Sequence, residues 1–195
     1  MKTLIVVDVQ KDFCKGGNLA VPNADEIVKG INEIMSDYDI VVYTQDWHPE
    51  NHKSFASQWE GKEPFEQVDL NGIPQVLWPD HCVQYSDGAE FHPELVLKYD
   101  ESVYFTKGEN PEVDSYSGFF ENDKKTPTGL ENFLKMNGVV DVDVVGLALD
   151  FCVRYTAEDA QRLGFKTRVL TDLTRAIGEV EPVCEELEKQ GIVCL

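Results

Sequence analysis

Cys152 lies in the stretch Val144-Val-Gly-Leu-Ala-Leu-Asp-Phe-Cys152-Val-Arg-Tyr-Thr-Ala-Glu-Asp-Ala160, where an apolar run passes through a short turn into an amphipathic helix. Its thiol therefore falls in the first turn of that helix. Backbone N–H groups without intrahelical partners and the positive end of the macrodipole favour thiolate over thiol at such a place. Three more reactive residues occupy equivalent positions: Asp8 ends the first apolar run, Asp46 ends the second, and Lys107 follows a third. If these runs are parallel strands, their carboxyl ends meet along one edge of the sheet, the edge where open α/β sheets bind ligands. An acid, an amine and a thiol brought together there form a nucleophilic set. Lys107 would lower the thiol pKa by its charge, and Asp8 would take and return protons. Each residue alone has a plainer reading: a buried small hydrophobe for Cys152, a strand-ending turn residue for Asp8, a solvated surface lysine for Lys107.

A second constellation is Thr44-Gln-Asp46-Trp-His48-Pro-Glu-Asn-His52, completed by Trp78-Pro-Asp-His81-Cys82. Asp46 and His48 are two residues apart, so an extended backbone points both side chains the same way. One carboxylate with imidazoles and no thiolate suits Zn²⁺, Fe²⁺ or Mn²⁺ and leaves room for water or substrate. Loop histidines satisfied by ordinary hydrogen bonds are the alternative. His52 is open between a fourth ligand, a partner of the ligands and a helix-start residue. His92, before Pro93, is read as structural, without an acidic or histidine partner to make it a ligand. Phe13, Trp78 and Tyr116 stand close to these segments, and flat rings beside a thiol and a metal suit a planar substrate, core filling being the other reading.

The elements that must hold these residues follow from periodicity. Short β-branched runs recur at Leu4 to Val7, Ile40 to Tyr43, Ser102 to Phe105, Val142 to Val145, Thr167 to Leu170 and Ile192 to Leu195, as expected of strands buried on both faces. Helical spacing lies between them at Ile27, Ile31 and Ile34, at Leu130, Phe133 and Leu134 before Gly138, at Val153, Thr156, Ala157 and Ala160 before Gly164, and at Val180, Val183, Cys184 and Leu187 before Gly191. The pattern predicts a three-layer αβα domain, 1–195, with a central, mostly parallel sheet. From Asp46 to about Asp100 no period is visible, yet all four histidines and all three tryptophans fall there, which marks a functional insertion.

A formal net charge of -19, with 36 acidic against 17 basic residues, argues against nucleic-acid and anionic-membrane partners and for a small neutral or cationic substrate. No run is long enough to span a membrane, and the start reads as neither signal nor anchor, so a cytoplasmic location is expected. Five scattered cysteines (Cys14, Cys82, Cys152, Cys184, Cys194) indicate reduced thiols rather than a disulfide framework or a thiolate zinc site. Homo-oligomerisation stays open.

Taken together, the segments resemble the nicotinamidase/pyrazinamidase branch of the isochorismatase-like cysteine hydrolases over essentially the whole chain. The resemblance is carried by Asp8-Val-Gln-Lys-Asp-Phe13 with Gly16-Gly-Asn-Leu19, Asp46-Trp-His48-Pro-Glu-Asn-His52-Lys-Ser-Phe55, Trp78-Pro-Asp-His81-Cys-Val-Gln84, Lys107-Gly108, Tyr116-Ser-Gly-Phe119 and Gly146-Leu-Ala-Leu-Asp-Phe-Cys152-Val153. It implies a catalytic triad of Asp8, Lys107 and Cys152, and one divalent metal, zinc before iron or manganese, on Asp46, His48 and His81, with His52 a ligand in some relatives only. It implies a ring pocket of Phe13, Trp78 and Tyr116. It also implies a cis peptide entering Ala148, so that the N–H groups of Ala148 and Cys152 form an oxyanion hole. Many relatives carry Thr where this chain has Leu149, which alters none of these roles because the turn's backbone does the work. Isochorismatases proper lack the cysteine, so Cys152 favours amide over vinyl-ether hydrolysis. The implied reaction is hydrolysis of nicotinamide to nicotinate and ammonia in NAD salvage, with pyrazinamide also accepted. A cysteine amidohydrolase for another small amide of N-carbamoyl type, or a non-catalytic metal-binding protein of the same fold, are the alternatives.

Overall fold

The computed structural model describes residues 1–98, 100 and 103–195. Its centre is β1 (Lys2–Val7), which pairs in parallel on one side with β2 (Ile40–Asp46) and on the other with β6 (Asp141–Leu147). Beyond β2 lies β5 (Tyr104–Lys107), and beyond β6 lie β7 (Lys166–Arg175) and β8 (Val193–Cys194), all parallel, giving the order β5-β2-β1-β6-β7-β8. Alternation along β1 explains why its run is apolar throughout. Leu4 and Val6 enter the core on one face with Ile27, Val28 and Ile31 of α1 (Glu26–Ile34), while Ile5 and Val7 enter the other. That second face is covered by Leu130 and Leu134 of α2 (Leu130–Met136), Ala157 and Ala160 of α3 (Arg154–Arg162), and Val183 and Leu187 of α4 (Val180–Lys189). Burial on both faces rewards Val and Ile at every position.

The chain moves outward from β1 to β2 and β5, then crosses back to β6 and continues the other way. Strand order therefore reverses about β1, which opens a crevice beyond the carboxyl ends of β1, β2 and β6.

Three details differ from the sequence expectations. The strand expected at Ser102 to Phe105 is Tyr104–Lys107, Ser102 itself lying outside the described residues. Lys107 is thus the last residue of β5 and sits in register with Asp46, the last of β2. The aperiodic insertion contains an antiparallel hairpin, β3 (Gln67–Leu70) and β4 (Ile73–Val76), joined through Asn71-Gly72. Both turn residues have positive φ, 56° and 84°, the type I′ conformation that an Asn-Gly pair favours, so a turn signal was present that hydrophobic spacing did not reveal. Finally, α3 starts at Arg154, and a wide five-residue turn, Leu149–Val153, comes before it. Among the described residues no helix is long and apolar enough to cross a membrane.

Candidate active site and metal centre

The four strand-end residues converge as their positions required. Asp8 follows β1 with φ 46°, a left-handed conformation that an Asp tolerates better than a branched residue, and this turn aims its side chain across the crevice. Its N–H donates to the Thr44 carbonyl (3.2 Å), and Thr44 Oγ1 donates to Asp8 Oδ1 (2.6 Å). Lys107 is buried, contrary to its solvated reading. Its three N–H donors are matched by Asp46 Oδ1, the Ser115 carbonyl (2.8 Å) and Cys152 Sγ (3.4 Å). Asp8 Oδ2 lies 2.9 Å from the same Nζ but receives no directed hydrogen bond among the described residues, the three donors of the ammonium being matched elsewhere. Asp8, Asp46 and Cys152 present ligand atoms within 4.8 Å of one another, and Lys107 supplies the cation among them.

Charge and burial compete here, and the outcome differs by residue. Burial raises the Asp8 pKa, and Asp46 adds to the rise, against the opposing pull of Lys107. Asp46 is buried too, yet Lys107 and His48 together hold it well below the ordinary carboxylate range. For Cys152, burial outweighs Lys107, and the Asp8 and Asp46 carboxylates push the same way as burial, so the thiol is pushed well above its usual pKa. Lys107 thus counteracts the rise without reversing it, a correction to the expectation that its charge would keep the thiol ionised.

Asp46, His48 and His81 form the second cluster, all three buried, with ligand atoms within 4.8 Å. His48 Nδ1 meets the Gly108 carbonyl at 2.8 Å and His81 Nδ1 meets the Pro79 carbonyl at 2.7 Å. A carbonyl only accepts, so each Nδ1 carries a proton and each Nε2 faces Asp46 Oδ2, at 3.5 and 3.8 Å, as the nitrogen that a cation would engage. Both separations are longer than a charge-assisted hydrogen bond, and ligands about 3.3 Å apart around a tetrahedral ion with bonds near 2 Å would show similar spacing. The donor set fits a divalent cation. Gly108 is required in the loop after Lys107: its φ is 69°, and a Cβ there would lie 2.3 Å from His48 Cε1. Gln10, which sequence reasoning missed, clamps this corner by donating to the Asp46 carbonyl (2.8 Å) and accepting from the Asp46 N–H (2.8 Å).

His52 stands apart from that trio. Its ring is 4.4 Å from that of His48, and its nitrogen groups with His48 and Asp114. Nδ1 lies 2.7 Å from Ser54 Oγ, and the buried Nε2 has no hydrogen-bond partner among the described residues. Burial, then the neighbouring His48, lowers its pKa to about 4, so the ring is neutral at ordinary pH.

Above the metal cluster and Cys152 is a pocket lined by Phe13, Trp78, Tyr116, Phe151, Leu19, Asp114 and Ile177. Phe151 meets Trp78 edge-on at 4.8 Å and Tyr116 at 5.6 Å, which leaves a slot for a flat ring. Phe151 could have been found from its place beside Cys152, whereas Asp114 lies in a stretch with no periodic signal. The Leu147–Ala148 peptide is cis, and the Ala148 carbonyl accepts from both Phe151 and Val153 N–H (3.1 Å each), shaping the wide turn that carries Cys152. His92 lies outside this crevice and does have an acidic partner, Asp25 Oδ1 at 3.4 Å, brought close by the fold alone.

Comparison with known proteins places the chain among relatives of one family. The isochorismatase domain model matches residues 2–187. A nicotinamidase of Acinetobacter baylyi is 47% identical over 192 residues, covering 97% of this chain and 89% of the relative. The structure of an Acinetobacter baumanii nicotinamidase and pyrazinamidase superposes with a TM-score of 0.95 at 46% identity, covering 100% of this chain and 95% of that one. A Pyrococcus horikoshii pyrazinamidase in complex with zinc superposes with a TM-score of 0.83 at 37% identity, covering 100% and 98%.

Proposed function

Because the chain belongs to the isochorismatase family, we propose that the crevice at the strand-order reversal is its active site, with Asp8, Lys107 and Cys152 as catalytic residues. The chain is an amidohydrolase acting on a linear carboxamide: it converts nicotinamide to nicotinate and ammonia. The observation that supports the residue roles best is the donor count at Lys107, which leaves Asp8 Oδ2 as the free acceptor beside a protonated thiol.

The pyridine ring enters the slot formed by Phe13, Trp78, Tyr116 and Phe151 and presents its carboxamide carbon to Cys152 Sγ. Asp8 Oδ2 takes the thiol proton as sulfur attacks, while the Lys107 N–H directed at Sγ stabilises the charge that develops there. The carbonyl oxygen becomes an oxyanion that accepts from the Ala148 and Cys152 N–H groups. Asp8 then returns its proton to the amide nitrogen, the C–N bond breaks, and ammonia leaves a thioester. Water attacks that thioester with Asp8 again as base, which releases nicotinate and restores the thiol.

The chain binds a divalent metal, which Asp46, His48 and His81 would hold and which we assign as zinc rather than iron or manganese. When bound, it supplies a Lewis-acid contact for the ring nitrogen. Pyrazinamide, a flat ring bearing the same carboxamide, suits the slot as a second substrate. The reading extends to one hydrolase domain over 1–195, acting in NAD salvage in the cytoplasm. The net charge of -19 supports a small-molecule substrate over nucleic acid or membrane as partner.

The test is Cys152→Ala. Ammonia release from nicotinamide should fall by about 10⁴-fold or more, while metal content and ring binding stay near wild type. A variant that kept a tenth of its activity would exclude the thioester route.

A further inference from the structure

Away from the crevice, Cys14, Asp25 and His92 bring a thiol, a carboxylate and an imidazole together from three separate segments, with ligand atoms within 4.8 Å of one another. Cys14 is buried just after the turn that carries Phe13, Asp25 stands immediately before α1, and His92 precedes Pro93. Asp25 Oδ1 and His92 Nε2 are 3.4 Å apart. That is long for a charge-assisted hydrogen bond and close to the roughly 3.3 Å that separates two ligands of a tetrahedral ion. The catalytic metal cluster shows the same spacing, 3.5 and 3.8 Å. The other oxygen of Asp25 accepts from the Lys15 N–H (3.0 Å), which fixes the carboxylate's orientation much as backbone groups fix His48 and His81.

We propose that Cys14, Asp25 and His92 form a second metal site that takes a borderline-soft divalent cation of the zinc class, with water as the fourth ligand. The three donors open onto a cleft of about 340 Å³, from which that water would come. Of the two lysines lining it, Lys11 is already held by Asp87 and Glu90 at 2.6 Å each, and the carboxylates of Asp12 and Asp25 outnumber the remaining ammonium of Lys15. Burial pushes the free Cys14 thiol up to about 12, so the thiol is protonated before the ion arrives. Coordination replaces the S–H bond by a sulfur–metal bond and releases one proton to solvent. His92 Nδ1 would become a donor and give up only a long, exposed contact from the Glu94 N–H (3.2 Å), which water can replace.

The test uses the full chain, stripped of metal and then dialysed against zinc or cobalt. Wild type should hold two equivalents of zinc, and Cys14→Ser and His92→Gln one each. The cobalt form should show a thiolate-to-cobalt charge-transfer band in the near ultraviolet, because the Asp46, His48 and His81 set contains no sulfur. The band should persist in Cys152→Ala and in His81→Ala but disappear in Cys14→Ser. One equivalent of zinc in wild type, or a band that survives Cys14→Ser, would overturn the site.

Discussion

Asp8 and Asp46 end neighbouring strands, are both buried and both reach the ammonium of Lys107, yet their proton affinities move in opposite directions. Around Asp46, the lysine is joined by two imidazoles whose Nδ1 protons rest on backbone carbonyls, and cationic and hydrogen-bonding partners outweigh burial. Around Asp8 the same lysine, already committed elsewhere, is helped by the Thr44 hydroxyl alone among the causes that lower its pKa, and burial prevails. One end of the crevice therefore holds a permanent anion suited to a metal, and the other holds a carboxylate able to accept a proton. Two identical side chains divide the work through their second contacts, as neighbouring groups with diverging pKa values do in acid–base sites generally.

That division can be broken from either side. Asp8→Asn should remove the proton shuttle and lower kcat by about 10³-fold with metal content unchanged, measured by ammonia release and metal analysis of the same sample. Equal loss of metal would mean that the two ends do not separate. At the metal end, His52 offers a pH test in the metal-free protein. Its pKa is about 4 when folded against an ordinary 6.5, so the stability it contributes is complete above pH 6.5 and is lost as pH falls toward 4. The loss should be on the order of 3 kcal/mol, and denaturant titrations of His52→Gln over this window should show a flatter profile. Next, His81→Ala should weaken metal affinity about 10- to 100-fold and lower kcat/KM mainly by raising KM, since the ring would lose its anchor but keep its nucleophile. A pure kcat effect would instead place the metal in the acyl-transfer chemistry. Gly108→Ala should cost about 2 kcal/mol by thermal unfolding, because the new methyl meets His48 and φ is positive, with metal affinity falling alongside.

The sheet was legible because β1, β2 and β6 each carry a short apolar run, Leu4 to Val7, Ile40 to Tyr43 and Val142 to Val145, the last broken only by Asp143, and Asp8, Asp46 and Cys152 follow those runs. The metal trio was legible from Asp46-x-His48 together with the Trp78-Pro-Asp-His81 segment. What lay outside sequence reasoning was mostly created by contact across long stretches of chain. Gln10 clamping Asp46, Asp25 beside His92, and the Ser115 carbonyl accepting from Lys107 have no local pattern to announce them. The thiol's proton affinity was misjudged for a related reason: position in a turn reveals the lysine and the helix start, but not how completely water is excluded. The Asn71-Gly72 turn is different, since its signal was local; Pro74 and the polar residues of β3 and β4 hid the strands it joins.

Lys107 and Gly108 are consecutive, and these two adjoining residues serve both ends of the crevice: the lysine grips the acid–base end, and the glycine's carbonyl steadies His48. The two ends are thus mounted on a common lever. A shift of the chain after β5 would displace nucleophile support and metal support together, so the distance between them is protected even when their absolute positions move. For a reaction that must align a ring nitrogen with one group and a carboxamide carbon with another, that relative distance is the dimension that matters.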